Sequence, residues 1–369
     1  MNSDYLKTIS VSMLILLAAC NTGSDVSDKP IENMVPEYHL TAVDSFGVEV
    51  GDSINMIGSI TGFCNHPSGA ILLLDRTAMR IRIIHENEQA LCAGREGEGP
   101  GEFLIPLDIC AMEDGRILVA DSWKHEVMEF NLAGDYVGSF LNAGEESTPS
   151  RMYQVDSNSI VGSRVEMDLN SDPIQVLFHI GRYDSECDPS VVYEEMSFDL
   201  TSSDLYRDME LVDFCATPTG NVYIVPDNTD YRIEVLSSDG DLRYLLNPEV
   251  ERLSKSEEEL QLEIEEFEQG IQDGQINPAM EEFHPAPYNT LIALGGVDGD
   301  GNLWVERYDS EEGYHFDVWD STGSIVYTAI LQDTADIPDL AFKIDQYGIL
   351  GANVDSDEYP RIYSYVLDN

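Results

Sequence analysis

Four groups of residues in this 369-residue chain have types and spacings from which chemistry could be built. Asp298-Gly299-Asp300-Gly301-Asn302 sets oxygen ligands at alternate positions, as the opening of a calcium loop does. The rest of such a loop is missing. The sixth position is Leu303 where a glycine is needed, and the twelfth is Asp309 in place of a bidentate glutamate. Gly94 to Phe103 (GREGEGPGEF) has the glycine content of a phosphate cradle. A cradle requires a helix N-terminus behind it and a lysine or second motif, whereas Pro106 and a strand pattern follow. Glu96, Glu98 and Glu102 would repel phosphate as well. Both segments are therefore expected to be turns. Asp108, Asp213 and Asp298 lie beside a recurring strand position and could bring carboxylates to a divalent cation. The cysteines Cys64, Cys110 and Cys215 each stand five residues before a glycine. That common spacing predicts three buried thiols at one structural position, too far apart for a disulfide. Cys92 with Cys64 or Cys187 is the pairing left to check. The seven histidines show no ligand spacing, and no serine sits in a nucleophile elbow. The expectation is no catalytic set, no metal set and no cofactor.

The elements that must position these groups form a repeat. Each unit is a turn glycine, an apolar run and an acidic residue. Copies are SGAILLLD at Gly69, DGRILVAD at Gly115, TGNVYIVPD at Gly220, DGNLWVER at Gly301 and YGILGANVD at Gly348. A second apolar pattern follows each, as in Ile81 to Ile84, Val127 to Phe130, Ile233 to Leu236, Phe316 to Trp319 and Ile362 to Tyr365. His125 and His315 fall just before it, where Arg80, Arg232 and Arg361 stand in other copies. Three copies carry a further turn glycine: Gly134, Gly240 and Gly323. Short β-rich segments between Gly/Asp turns read as antiparallel meanders. The interval from Gly69 to Gly115 leaves room for one unit, and that from Gly115 to Gly220 for two, the degenerate one holding Asn158 in place of the glycine. Gly220 to Gly301 leaves one unit plus an insertion. The count is six, and four-stranded units repeated radially make a six-bladed β-propeller.

Residues 38–50 (YHLTAVDSFGVEV) are strand-like and unassigned, while the last unit lacks its outer strand, so this segment is expected to close the ring. The insertion, residues 247–285 between blades four and five, carries the one helical signal. Ser256 and Glu259 form a capping-box pattern, and Leu260, Ile264, Phe267 and Ile271 follow at helical spacing, with Gly270 able to end the helix. This helix is expected on the same face as the GPGEF loop. Trp123, in the turn after Asp121, should project from that face too, and Arg95 lies in the loop itself. These two are the candidate contact residues.

Leu17-Ala18-Ala19-Cys20 follows a short apolar run behind Lys7. The run is too short to span a bilayer, which favours a cleaved signal over residues 1–19. Small residues before a cysteine match a lipobox, making Cys20 the expected lipidation site and residues 20–37 a polar tether before the propeller at 38–369. There are 70 acidic against 19 basic residues, a net charge of −51. Such a surface repels phosphate backbones and anionic headgroups, excluding nucleic acid and direct lipid-surface binding.

The run Gly94 to Phe103, then Pro106 and DGRILVADSWKHEVMEF, resembles the inter-blade loop and blade of bacterial six-bladed, NHL-like propellers. The stretch from His284 through DGDGNLWVERYD to FDVWDSTGSIV resembles a late blade of the same group, many of whose members are exported lipoproteins. The likeness covers about residues 38–369, with blade three departing most. It implies a lipid-anchored protein of the cell envelope, expected as a monomer. Its expected role is non-catalytic binding or scaffolding of a protein, peptide or glycan on the loop face. The alternative is a metal-dependent propeller enzyme of lyase or lactonase type, with a cation in the central channel. Fold alone does not choose between these, because function resides in sites carried on folds.

Overall fold

Alternating apolar runs and Gly/Asp turns generate antiparallel hairpins almost without interruption in this computed structural model. It describes residues 35–47, 56–86, 89–186, 188–274, 276, 280, 282–310, 313–332, 340–354 and 359–368. The signal segment, Cys20, most of the tether, residues 48–50 of the closing segment and Cys187 lie outside the described residues. An N-terminal strand, β1 (Glu37–Phe46), precedes the repeat. The first sheet contains β2 (Ile60–Asn65), β3 (Ile71–Asp75), β4 (Arg80–Ile84) and β5 (Leu91–Ala93). The second contains β6 (Pro106–Ala111), β7 (Ile117–Asp121), β8 (Glu126–Phe130) and β9 (Tyr136–Asn142). The third contains β10 (Ser150–Gln154), β11 (Ile160–Asp168), β12 (Gln175–Tyr183) and β13 (Val191–Asp199). A short helix, α1 (Asp204–Leu211), leads to the fourth sheet: β14 (Asp213–Ala216), β15 (Asn221–Val225), β16 (Ile233–Ser237) and β17 (Leu242–Leu246). After α2 (Glu257–Gln272) come β18 (Ile292–Val297), β19 (Leu303–Arg307), β20 (Tyr314–Trp319) and β21 (Ile325–Leu331). The chain ends with β22 (Leu340–Asp345), β23 (Gly348–Asn353) and β24 (Ile362–Asp368).

The fold is all-β and propeller-like, but it does not consist of six separate sheets. Four sheets stand alone, and the last eight strands join in a closed ring, β1-β21-β20-β19-β18-β22-β23-β24. Two parallel junctions weld that ring. One is the single bridge Gly296↔Ile344, and the other is Glu37–His39 against Thr328–Ile330. Within the ring, β1 pairs antiparallel with β24 from His39↔Asp368 to Phe46↔Ile362, so the N-terminal segment supplies the outer strand that the last unit lacks.

Four of the five repeat glycines do one job, whereas Gly348 opens β23 at φ +159° and pairs with Asp345. Gly69, Gly115, Gly220 and Gly301 have φ between +83 and +88°, a left-handed conformation open to glycine at little cost. Each donates its N–H to the carbonyl three residues back, on His66, Met112, Thr217 and Asp298 respectively. In the first two sheets the acidic residue that closes the apolar run is buried and structural. Asp75 accepts hydrogen bonds from the N–H groups of Gly58, Ser59 and Ala78 and from the Arg82 guanidinium. Asp121 accepts from Leu104, Ile105, Trp123 and Lys124. Between the sheets lie apolar layers such as Leu72, Leu74, Ile83, Ile109, Val119 and Met128, all fully buried. At about 25 cal/mol per Å2 of apolar surface removed from water, such layers supply most of the driving force for folding.

Helix α2 begins as its sequence dictates. Glu259 N–H donates to the Ser256 hydroxyl at 3.2 Å, and Ser256 N–H donates to the Glu259 carboxylate at 2.6 Å. Phe267 is buried and stacks on Phe283 at 4.6 Å. Two expectations are corrected. Gly270 does not end the helix, which runs on to Gln272 and leads to Gly274 at φ +74°. Gly270 is instead where Ile276 packs against the helix, since a Cβ there would meet the Ile276 side chain at 2.8 Å. The insertion is also not the sole helix, because α1 precedes β14. Its two turns carry no side-chain cap bond and so left no signal to read.

Candidate binding site in the central channel

The first strands of successive units meet in a closed cycle: β2 touches β6, β6 touches β10, β10 touches β14, β14 touches β18, β18 touches β22, and β22 touches β2. Aspartates pin alternate junctions. An Asp108 oxygen accepts the Met152 N–H from β10, an Asp213 oxygen accepts the Leu294 N–H from β18, and Asp345 accepts the N–H of Asn65 and its side-chain amide from β2. Arg151 reinforces one further junction through an ion pair with Asp213. The candidate cation ligands are thus spent on backbone amides of neighbouring strands. Asp298 is spent inside its own turn, accepting from Asn302 N–H and, at 2.9 Å, from the Trp304 indole. Among the described residues no group of three or more His, Cys, Asp or Glu could hold a metal ion.

Five of the six first strands present one residue at the same register. Cys64, Cys110, Tyr153, Cys215 and Gly296 pair with Leu72, Leu118, Val161, Tyr223 and Trp304, each three residues after the turn position. The sixth strand adds Lys343. Its Nζ lies over the Tyr153 ring, 4.1 Å from the centroid, a cation–π distance. A cavity of about 170 Å3 extends from this ring to the turns that join first and second strands. Its walls include Cys64, Cys110, Met152 and Tyr153 around Lys343, and Thr219, Gly299 and Tyr347 stand at its exposed end. Gln346 reaches across that end to the Glu113 carboxylate at 3.2 Å.

Burial dominates the electrostatics of the channel. Burial pushes the Cys64 and Cys215 thiols well above their ordinary range and Cys110 up to about 12, so all three are protonated and poor nucleophiles at neutral pH. Burial works against the charge of Lys343, but the amine is held above its usual range by its negatively charging neighbours, of which the Asp108 carboxyl is the one that ionises below the thiols and Tyr153. A lysine kept as an ammonium donates hydrogen bonds and does not attack. Burial also raises the Asp108 and Asp345 carboxyls, an effect that Lys343 partly offsets.

The three cysteines predicted to share a position are free and buried at one register, and Cys92 is free as well. The GREGEGPGEF segment is a self-bonded turn. Phe103 N–H donates to Arg95 C=O, Gly97 N–H to Phe103 C=O, and Gly99 N–H to the Glu102 carboxylate, which leaves no row of amides for phosphate. Arg95 is paired with Glu102 at 2.7 Å, and Lys124 binds the Gly99 and Glu102 carbonyls, bringing the Trp123 turn against the loop. Trp123 is 68% exposed. It follows the C-terminal end of β7, whereas the Gly115 turn precedes that strand, so Trp123 and the cavity mouth belong to opposite faces. Sequence reasoning missed Lys343, Tyr153 and Tyr347. The signal available was the departure of Tyr153, Gly296 and Lys343 from cysteine at the position five residues ahead of the turn glycine.

No known protein family matches the sequence, and no curated protein resembles it closely enough to count as a relative. Solved structures do. A protein described as exported, from Bacteroides fragilis, aligns over 90% of this chain and 99% of its own, with 12% identity and a TM-score of 0.52. A member of the DUF4221 family from Bacteroides vulgatus aligns over 91% and 99% at 11% identity and a TM-score of 0.47. Virginiamycin B lyase from Staphylococcus aureus aligns over 90% and 100% at 10% identity and 0.46. Likenesses at such identity speak to fold alone.

Proposed function

We propose that this chain is a six-bladed propeller of the cell envelope, anchored through Cys20, that acts as a non-catalytic binding module with its ligand site in the channel. The blade count is supported by the cycle of six first strands, with the eight-stranded ring read as two blades welded at their edges. The observation that carries the binding reading is the channel's chemistry: a protonated lysine faces a cavity whose thiols are protonated and whose carboxylates are occupied by neighbouring strands. The exposed Trp123 beside the GPGEF loop favours a second contact, with a protein, peptide or glycan partner, on the opposite face.

The test uses the full-length protein. It is assayed for turnover of lactone and glycan substrates with divalent cations, and by native mass spectrometry for small ligands that copurify. The reading expects no cation-dependent turnover and a copurifying ligand that is lost in Thr219→Trp, which narrows the mouth. Turnover that requires a cation and falls in Asp108→Asn would establish the lyase or lactonase alternative in its place.

A further inference from the structure

We infer that the channel site takes a compact organic monoanion, a free carboxylic acid with a short apolar body, gripped through its carboxylate by Lys343. This rests on the channel being the binding site, and it goes further by naming the ligand class.

The argument begins from hydrogen-bond accounting. Most polar side chains around the cavity are committed to protein partners. Asn65 donates to Asp345 and to the Gly348 carbonyl. Gln154 accepts from Glu113 N–H and donates to the Asp156 carbonyl. Asp345 accepts from Asn65 and from Tyr347 N–H, and Gln346 donates to Glu113 and the Tyr347 hydroxyl. Thr217 and Thr219 bond each other. Lys343 differs. Its ammonium carries three donors, and among the described residues none of them meets an acceptor in a hydrogen bond or an ion pair. Its contact is with the face of Tyr153, which takes up none of the N–H groups in a conventional bond. Lys343 is half-buried and its Nζ is not among the fully buried atoms left without a partner, so its open donors face the cavity, where an acceptor can complete them.

The cavity says what kind of acceptor fits. A single water needs about 10–15 Å3 of such space, and about 170 Å3 is present, so room remains for an organic body beyond one solvent molecule. The walls next to the ammonium are Cys64, Cys110, Met152 and the Tyr153 ring, which suit hydrocarbon. One positive charge faces the space, Asp345 lines the same cavity, and Asp108 interacts electrostatically with Lys343. Asp108, Asp345 and the exterior at −51 repel any anion, a dianion about twice as strongly as a monoanion, so the single ammonium has less repulsion to overcome with a single charge. A carboxylate with a single charge matches the one ammonium, as charge-assisted hydrogen bonding requires.

The probes are butyrate, its neutral isostere butyramide, butylammonium and inorganic phosphate, titrated into the full-length protein and followed by ligand-observed NMR and calorimetry. Butyrate is expected to bind at least tenfold more tightly than butyramide, with phosphate and butylammonium weaker still. Lys343→Met should erase that preference, Lys343→Arg should keep it, and Thr219→Trp should weaken butyrate binding. The comparison of butyrate with butyramide on the unaltered chain needs no variant, so it decides the question even if Lys343→Met does not fold. Equal binding of acid and amide, both weakened by Thr219→Trp, would overturn the carboxylate assignment and leave the channel as the binding site. Phosphate binding more tightly than butyrate would do the same. Butyrate binding unaffected by both Lys343→Met and Thr219→Trp would overturn the channel site itself.

Discussion

Replacing Glu306 by glutamine should stabilise the protein by an amount that grows with pH. Glu306 sits on β19 at 5% exposure. Burial is the main cause that pushes its carboxyl from 4.5 up to about 8; the hydrogen bond with Tyr308 pulls it back slightly, and Asp213 adds repulsion. The folded protein therefore holds this proton where the unfolded chain has released it. Stability from this group is fully present below pH 4.5 and is lost as pH rises towards 8, because over that interval the unfolded state binds fewer protons. At pH 7 the interval crossed is two and a half units, and at about 1.4 kcal/mol each the ceiling on the loss is about 3 kcal/mol. Glutamine keeps the shape and a donor but never ionises. Glu306→Gln should thus match the parent near pH 4.5 and exceed it by about 1–3 kcal/mol at pH 7, with a wider gap at pH 8. Urea unfolding at pH 5, 6, 7 and 8, followed by the fluorescence of the buried Trp304 and Trp319, measures the difference directly. A variant less stable than the parent at pH 7, or a gap that does not change with pH, would refute the reasoning.

Other perturbations separate architecture from function. Asp75→Ala leaves the Arg82 guanidinium, which is 1% exposed, without its carboxylate and should cost about 3–5 kcal/mol in urea unfolding. Gly301→Ala meets nothing within 4 Å, so its cost is the left-handed backbone alone, about 1–2 kcal/mol. Gly296→Ala places a Cβ 1.9 Å from the Ile344 carbonyl at the weld between β18 and β22 and should be far more damaging, which paired thermal melts will show. Ser256→Ala removes half of the capping box, and about 1 kcal/mol of local stability should disappear from the first turn of α2 in amide exchange. Trp123→Ala should leave stability within about 0.5 kcal/mol of the parent, so any lost partner binding in that variant reports on contact and not on folding.

Local chemistry was legible in the residues themselves. Glycines spaced at the start of apolar runs specify left-handed turns, and the structure uses Gly69, Gly115, Gly220 and Gly301 identically. A serine three residues before a glutamate specifies a helix start, and α2 begins there. The repeat marks the DGDGN run as a turn and places three cysteines at one register, and the residues flanking the GPGEF loop mark it as a turn as well.

Other features depended on which strands end up side by side. Whether two neighbouring sheets remain separate is decided by a few edge contacts, such as the bridge at Gly296, and no sequence period encodes these. Asp108, Asp213 and Asp345 are strand-linking acceptors only because a particular amide of the next strand arrives opposite each. Lys343 is the clearest case. In the chain it is one basic residue in an apolar run, separated from Cys64 by most of the sequence. Closing the ring places it among Cys64, Cys110 and Tyr153 in the channel, because the last first strand must pack against the first. Local propensity reads along the chain, whereas the channel is assembled across it, and only tertiary closure decided what that lysine faces.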